Sequence, residues 1–201
     1  MLSSGVVVLA LLVGQPPVAD DADMTIYRAA FDAVIKPEAV RLGGRPPSTL
    51  PPFVLYDRTI PTCTGSSSIL LTAGCLGSEL SVFEGLHPRQ TTLPFGSAIG
   101  VATRAALATA FRQRNQLPHS LPDGVLLEAQ TVPEPSPADA VRPARGVPFI
   151  RFSLPARSED GFALVFASYT CGNLCAYGWL ILLTETDGAW RVVDKHLAWI
   201  S

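Results

Sequence analysis

Apolar residues change their spacing along this 201-residue chain, and each change marks an element. Ile26, Tyr27, Ala30, Phe31, Val34 and Ile35 recur at three- and four-residue intervals and predict a helix beginning near Met24, capped by Asp21 or Asp23. Pro37 should end or kink it, and Gly43-Gly44-Arg45-Pro46-Pro47 is a break. Phe53 to Asp57 reads as a short strand, whereas Ser81 to Gly100 shows no period and reads as irregular. Val101 to Asn115 predicts a helix with Val101, Ala105, Ala108 and Phe111 on its apolar stripe and Arg104, Arg112 and Arg114 on a solvated face. Val125–Val132 and Phe149–Leu154 are strand candidates on either side of the proline-rich loop or linker Pro133–Pro148.

The last forty residues are different in kind. From Phe162 to Thr170, and again from Gly178 to Leu183, apolar residues fill both alternate faces, as in interior strands covered on two sides. Asp187-Gly188 is a hairpin signal, and the following Trp190–Trp199 mixes apolar with charged positions, so it lies at an edge or has one wet face. Together they predict a C-terminal three-strand antiparallel meander. The fold expected is α+β: an antiparallel sheet of about five or six strands with two or three helices packed on one side. An NTF2-like cone, in which the N-terminal helix and a curved sheet enclose a pocket, is the alternative.

Composition adds compartment and excludes some partners. Hydrophobic residues make up 48% and charged residues 16%, which excludes general disorder, and a net charge of −2 gives no electrostatic case for nucleic acid. Gly5–Gly14 is an apolar block; spanning a bilayer takes roughly 20 such residues, so it has the length of a signal-peptide core and not of a transmembrane segment. Residues 1–19 are therefore read as a signal peptide and 20–201 as one globular domain, the alternative being a buried N-terminal strand. In an exported chain the four cysteines read as two local disulfides, Cys63 with Cys75 and Cys171 with Cys175.

The C-terminal pattern resembles that of uncharacterised bacterial exported proteins. The residues that carry it are Cys171-Gly172-Asn173-Leu174-Cys175-Ala176-Tyr177-Gly178, Leu180–Leu183, Trp190-Arg191-Val192-Val193 and Trp199-Ile200-Ser201. The resemblance implies the hairpin, and no activity.

Candidate chemistry is thin. Cys171 and Cys175 are three residues apart between strands, not a Cys-x-x-Cys at a helix N-terminus where the dipole lowers a thiol pKa, so a staple is favoured over a redox pair. Gly65-Ser66-Ser67-Ser68 lacks the second glycine of a nucleophile elbow. His87, His119 and His196 have no metal-ligand spacing, and the cysteine spacings fit no zinc site, so neither metal nor cofactor is expected. Trp179, Trp190 and Trp199 would form a ligand platform if one sheet face were open. The function expected is a non-enzymatic binding or interaction module, its partner an envelope protein or small-molecule ligand. A small hydrolase, with Asp57 and the histidines as groups to locate, is the alternative, and a thiol-redox protein using Cys171 and Cys175 the third.

Overall fold

A computed structural model describes residues 19–43, 53–62, 75–86, 93–134, 148–171 and 175–200. The expected signal peptide, Cys63, His87, the serine-rich run and most of the proline-rich loop lie outside these residues.

The organising element is the meander expected at the C-terminus: β5 (Phe162–Thr170), β6 (Ala176–Thr186) and β7 (Ala189–Ile200), paired antiparallel in sequence order. Four shorter strands extend it: β1 (Phe53–Tyr56), β2 (Ala129–Val132), β3 (Phe149–Phe152) and β4 (Ala156–Arg157). The seven form one open sheet in the order β2-β1-β3-β5-β6-β7, with β4 pairing β5 beyond the end of β3. The sheet is mixed, not purely antiparallel, because β1 runs parallel to both β2 and β3. The reason lies in the connection: β1 reaches β2 through a long helical crossover, and such crossovers return the chain in the same direction.

Helices cover both faces, not one. On the first face lies a continuous helical rod: α1 (Asp21–Ala30), a π-helical turn (Phe31–Ile35) and α2 (Lys36–Gly43). Its stripe of Ile26, Tyr27, Ala30, Phe31, Val34 and Ile35 packs on Val165, Ala167, Tyr169, Trp179, Ile181 and Leu183. On the second face lie α3 (Ser78–Glu84) and α4 (Val101–Arg114), whose Leu80, Phe83, Leu107 and Phe111 meet Leu164, Phe166, Leu180 and Leu182. β5 and β6 are apolar on both faces and need a layer on each; helices on one side would leave Leu164, Phe166, Leu180 and Leu182 in water. The open sheet with two filled faces is also not the cone.

Local chemistry explains where the rod starts and why Pro37 does not stop it. Asp20 is the N-cap: its carboxylate accepts from Asp23 N–H, and Asp23 returns the bond to Asp20 N–H, at 2.9 and 3.1 Å. Proline lacks the N–H that an α-helix needs at that position. One turn earlier the rod widens to a π-turn, with Lys36 N–H donating to Phe31 O, and this shift accommodates the ring while the helix continues to Gly43.

Two expectations on the second face are corrected. The segment expected to be irregular begins with α3, a seven-residue helix that ends in a left-handed Gly85 (φ 75°). In α4 the buried stripe is Arg104, Leu107, Ala108 and Phe111, while Val101 is 85% exposed. The strand expected at Val125–Val132 forms only from Ala129, since Val125 and Leu126 turn inward to plug the first core.

Candidate functional site

The three arginines of α4 do not share one solvated face: Arg112 stays exposed, while Arg104 is buried and Arg114 half-buried. Arg114 grips the fully buried Asp23 with both terminal nitrogens, at 3.0 and 2.7 Å, and donates to Pro155 O at 2.7 Å. This pair ties α4 on the second face to α1 on the first. It reaches round the sheet just where β1 has ended and β4 has no neighbour besides β5. Around it Tyr27 Oη donates to Ser153 O, and Asn115 bonds both the carbonyl and the amide of Leu154. Burial, reinforced by the Asp23 carboxylate, pushes the Tyr27 phenol well above its ordinary pKa. Arg104 lies over the Phe83 ring at 5.0 Å and donates to Phe83 O, where a cation caps the carbonyl end of α3. Arg112 pairs with Glu84.

The residues singled out from sequence do not converge. Asp57 closes the end of β1: its carboxylate accepts from Glu134 N–H, and its backbone bonds Val132 and Leu121. His119, expected in solvent, is half-buried; its amide donates to Thr59 Oγ1 and its carbonyl accepts from Thr59 N–H. Burial lowers its pKa and the nearby Arg114 adds to this. His196 lies on β7 opposite Leu180, on the second face, and is lowered by burial with partial offset from Asp194. Cys171 and Cys175 are disulfide-bonded with Cα atoms 5.2 Å apart, at the tip of the β5–β6 hairpin, where Cys171 N–H donates to Cys175 O. Cys75 is also disulfide-bonded, and Cys63 is outside the described residues. Among the described residues no group of three or more His, Cys, Asp or Glu gathers to hold a metal, and no helix is long and apolar enough to cross a membrane.

The tryptophans divide between the faces. Trp179 and Trp190 face the first core, while Trp199 packs against the second, lying over Gly178. A β-bulge at Gly178/Trp179 causes the split, since it inserts one residue into β7 and turns Trp199 to the opposite side from Leu197. A shared three-tryptophan platform therefore does not form.

Surface clefts do form among the described residues, two of which have chemistry to weigh. One, of about 290 Å³, lies between α3 and the end of α4 and is lined by Thr62, Leu80, Ser81, Glu84, Arg112 and Gln116, with its charges paired to each other. The other, of about 200 Å³, lies between α2, the start of β6 and the C-terminal end of β7. Its floor is Tyr177 stacked on Trp179, ring centroids 5.5 Å apart and 9° from parallel. Leu197 and Ile200 form its outer wall, 42% and 60% exposed. Its rim holds Glu38 between Arg41 and Lys195, at 2.6 and 2.9 Å. Burial opposes ionisation of Glu38, but the two cations outweigh it and hold the carboxyl below the usual range.

Sequence reading did not assemble this second cleft. Its available signals were Tyr177 and Trp179 two apart on one strand face, and Lys195, one of only two lysines in the chain. No family model, curated protein or solved structure matches this chain.

Proposed function

We propose that this chain is an exported, non-enzymatic binding module of a bacterial envelope or its exterior, and that its ligand surface is the cleft between α2, the start of β6 and the end of β7. One observation carries the reading: a stacked aromatic pair floors a cleft whose outer wall, Leu197 and Ile200, is large, apolar and exposed. Single exposed apolar residues are ordinary; an apolar wall continuous with an aromatic floor and flanked by fixed charges has the composition of a ligand site.

Export is supported by the oxidised Cys171–Cys175 pair and by the half-cystine at Cys75, which suit an oxidising compartment. The signal-peptide reading of residues 1–19 points the same way. The hairpin-tip setting of Cys171 and Cys175 supports a staple over a redox pair, since no helix dipole is there to activate a thiolate.

The test is amide NMR of the folded chain against a panel of amphipathic small molecules and short peptides. Binding should shift Tyr177, Lys195, Leu197 and Ile200, and Leu197→Glu should remove the shifts without unfolding the sheet. Shifts confined to Thr62, Ser81 and Arg112 would move the site to the other cleft and refute the assignment.

A further inference from the structure

We infer that the ligand of this cleft is an extended polypeptide that adds as a strand to β7, with an apolar side chain in the cleft and an acidic one at Arg41 and Lys195. The inference rests on the binding reading above and adds the class of ligand.

Two features of the fold carry it. Among the described residues β7 is the terminal strand of the sheet, twelve residues long, and its ladder pairs it with β6 alone. Apart from Lys195 N–H, which donates to Asp194 Oδ1 at 2.8 Å, the alternate N–H and C=O groups of its outer edge are left as a template for another strand. Edges are commonly blunted by charge and bulges, and β7 has Arg191, Asp194 and Lys195 with a bulge at Leu182/Leu183. Beyond Lys195 the charges stop, and Leu197-Ala198-Trp199-Ile200 is left as an apolar edge. The bulge at Gly178/Trp179 places Lys195, Leu197 and Ile200 on one face, beside the cleft. A strand added there would present alternate side chains to that same face, which is how strand addition combines backbone affinity with pocket specificity.

Charge selects the occupant. Arg41 and Lys195 share the single carboxylate of Glu38, leaving one positive charge in excess on a chain whose formal net charge is −2. A carboxylate on the incoming strand would complete the cluster. A second copy of this chain pairing through β7 would bring two such positive rims together, so an acidic-apolar peptide is the better fit.

The probes are two capped hexapeptides, Leu-Thr-Glu-Thr-Leu-Thr (the Leu-Glu peptide) and Leu-Thr-Gln-Thr-Leu-Thr (the Leu-Gln peptide), in which Leu and Glu or Gln two residues apart share one strand face, and the Leu-Glu peptide N-methylated at every backbone nitrogen so that neither edge can pair. The Leu-Glu peptide should shift Tyr177, Leu197 and Ile200 and slow hydrogen exchange of outward β7 amides. It should bind about two- to fivefold tighter than the Leu-Gln peptide, the range of exposed ion pairs. Arg41→Gln with Lys195→Gln should abolish that preference, and N-methylation should abolish binding. Equal binding of the N-methylated peptide would overturn strand addition while leaving the cleft as a ligand site. Equal binding of both unmethylated peptides would overturn the acidic preference. A dimer formed through β7 without peptide would overturn the peptide in favour of a second copy. If no probe or small molecule perturbs the cleft, both this inference and the site fall.

Discussion

Replacing Arg114 by methionine should cost about 3–4 kcal/mol of stability, within the range found when one partner of a buried pair is removed. The magnitude follows from what is left behind. Asp23 is fully buried and accepts two charge-assisted bonds from Arg114, each worth roughly 1.5–3 kcal/mol. Pro155 O loses its guanidinium donor as well. Two groups soften the loss: the Asp20 amide, still 3.1 Å from Asp23, and the Arg157 guanidinium at 4.0 Å. The softening puts the value below the upper end of the range.

The decisive experiment is a double-mutant cycle in urea with Arg114→Met, Asp23→Leu and the pair together. With an m-value of about 2 kcal/mol/M, a 3 kcal/mol loss moves the midpoint by roughly 1.5 M. The double variant should be less destabilised than the sum of the singles by about 2–3 kcal/mol, because the second substitution removes a charge already stranded. Additivity within about 0.5 kcal/mol would refute the argument. It would mean that the clasp between α1 and α4 depends on their separate packing and not on the ion pair.

Three further outcomes are expected. Gly178→Ala places a Cβ 2.5 Å from the Trp199 ring and 2.8 Å from Phe166, and should cost about 1–3 kcal/mol, with part recovered by adding Trp199→Leu; an unchanged urea midpoint would show that Trp199 does not lie there. Cys171→Ser with Cys175→Ser should lower stability by about 2 kcal/mol through loop entropy, read as a midpoint shift, with the hairpin retained in the amide spectrum. Burial raises the Asp20 pKa, but the Asp23 amide and Arg157 outweigh burial and bring it below the ordinary value. Its stabilising contribution is therefore present above the ordinary carboxylate pKa of about 3.9 and lost as pH falls through the lower folded value, so Asp20→Asn should flatten the acid limb of a stability–pH curve there.

Periodicity showed the elements whose burial involves apolar residues almost alone. The rod's stripe and the two-faced strands β5 and β6 are legible because their buried positions are apolar almost throughout, Ser168 being the polar exception in β5. α4 hid its buried face because that stripe includes Arg104, which reads as solvent-facing until Phe83 and its carbonyl are brought beside it. The first core's link to the second was equally hidden, since Asp23 and Arg114 are 91 residues apart and neither has an unusual local context. Pro37 is the converse case: the local rule predicts a kink or stop, and the π-turn absorbs it within the rod. The cleft failed to appear in sequence because it draws on α2, β6 and β7 together, with a bulge that no alternation pattern reveals.

The geometry of coverage limits where this fold can meet a partner. Helices cover β5 and β6 on both faces, so among the described residues recognition falls to the edges of the sheet and to the ends of its layers. The edges are β2, four residues long, and β7, twelve. On β7 the charged half resists chance pairing, while the half ending at Ile200 combines unpaired backbone, exposed Leu197 and an aromatic floor beneath it. Folding alone would be served better by a charge at Leu197 or Ile200, since neither is buried and both invite edge association. If these positions exist for stability, Leu197→Lys and Ile200→Lys should each lower the urea midpoint. If they exist for a partner, the midpoint should hold or rise while peptide binding is lost, and it is this second result that the exposed edge leads us to expect.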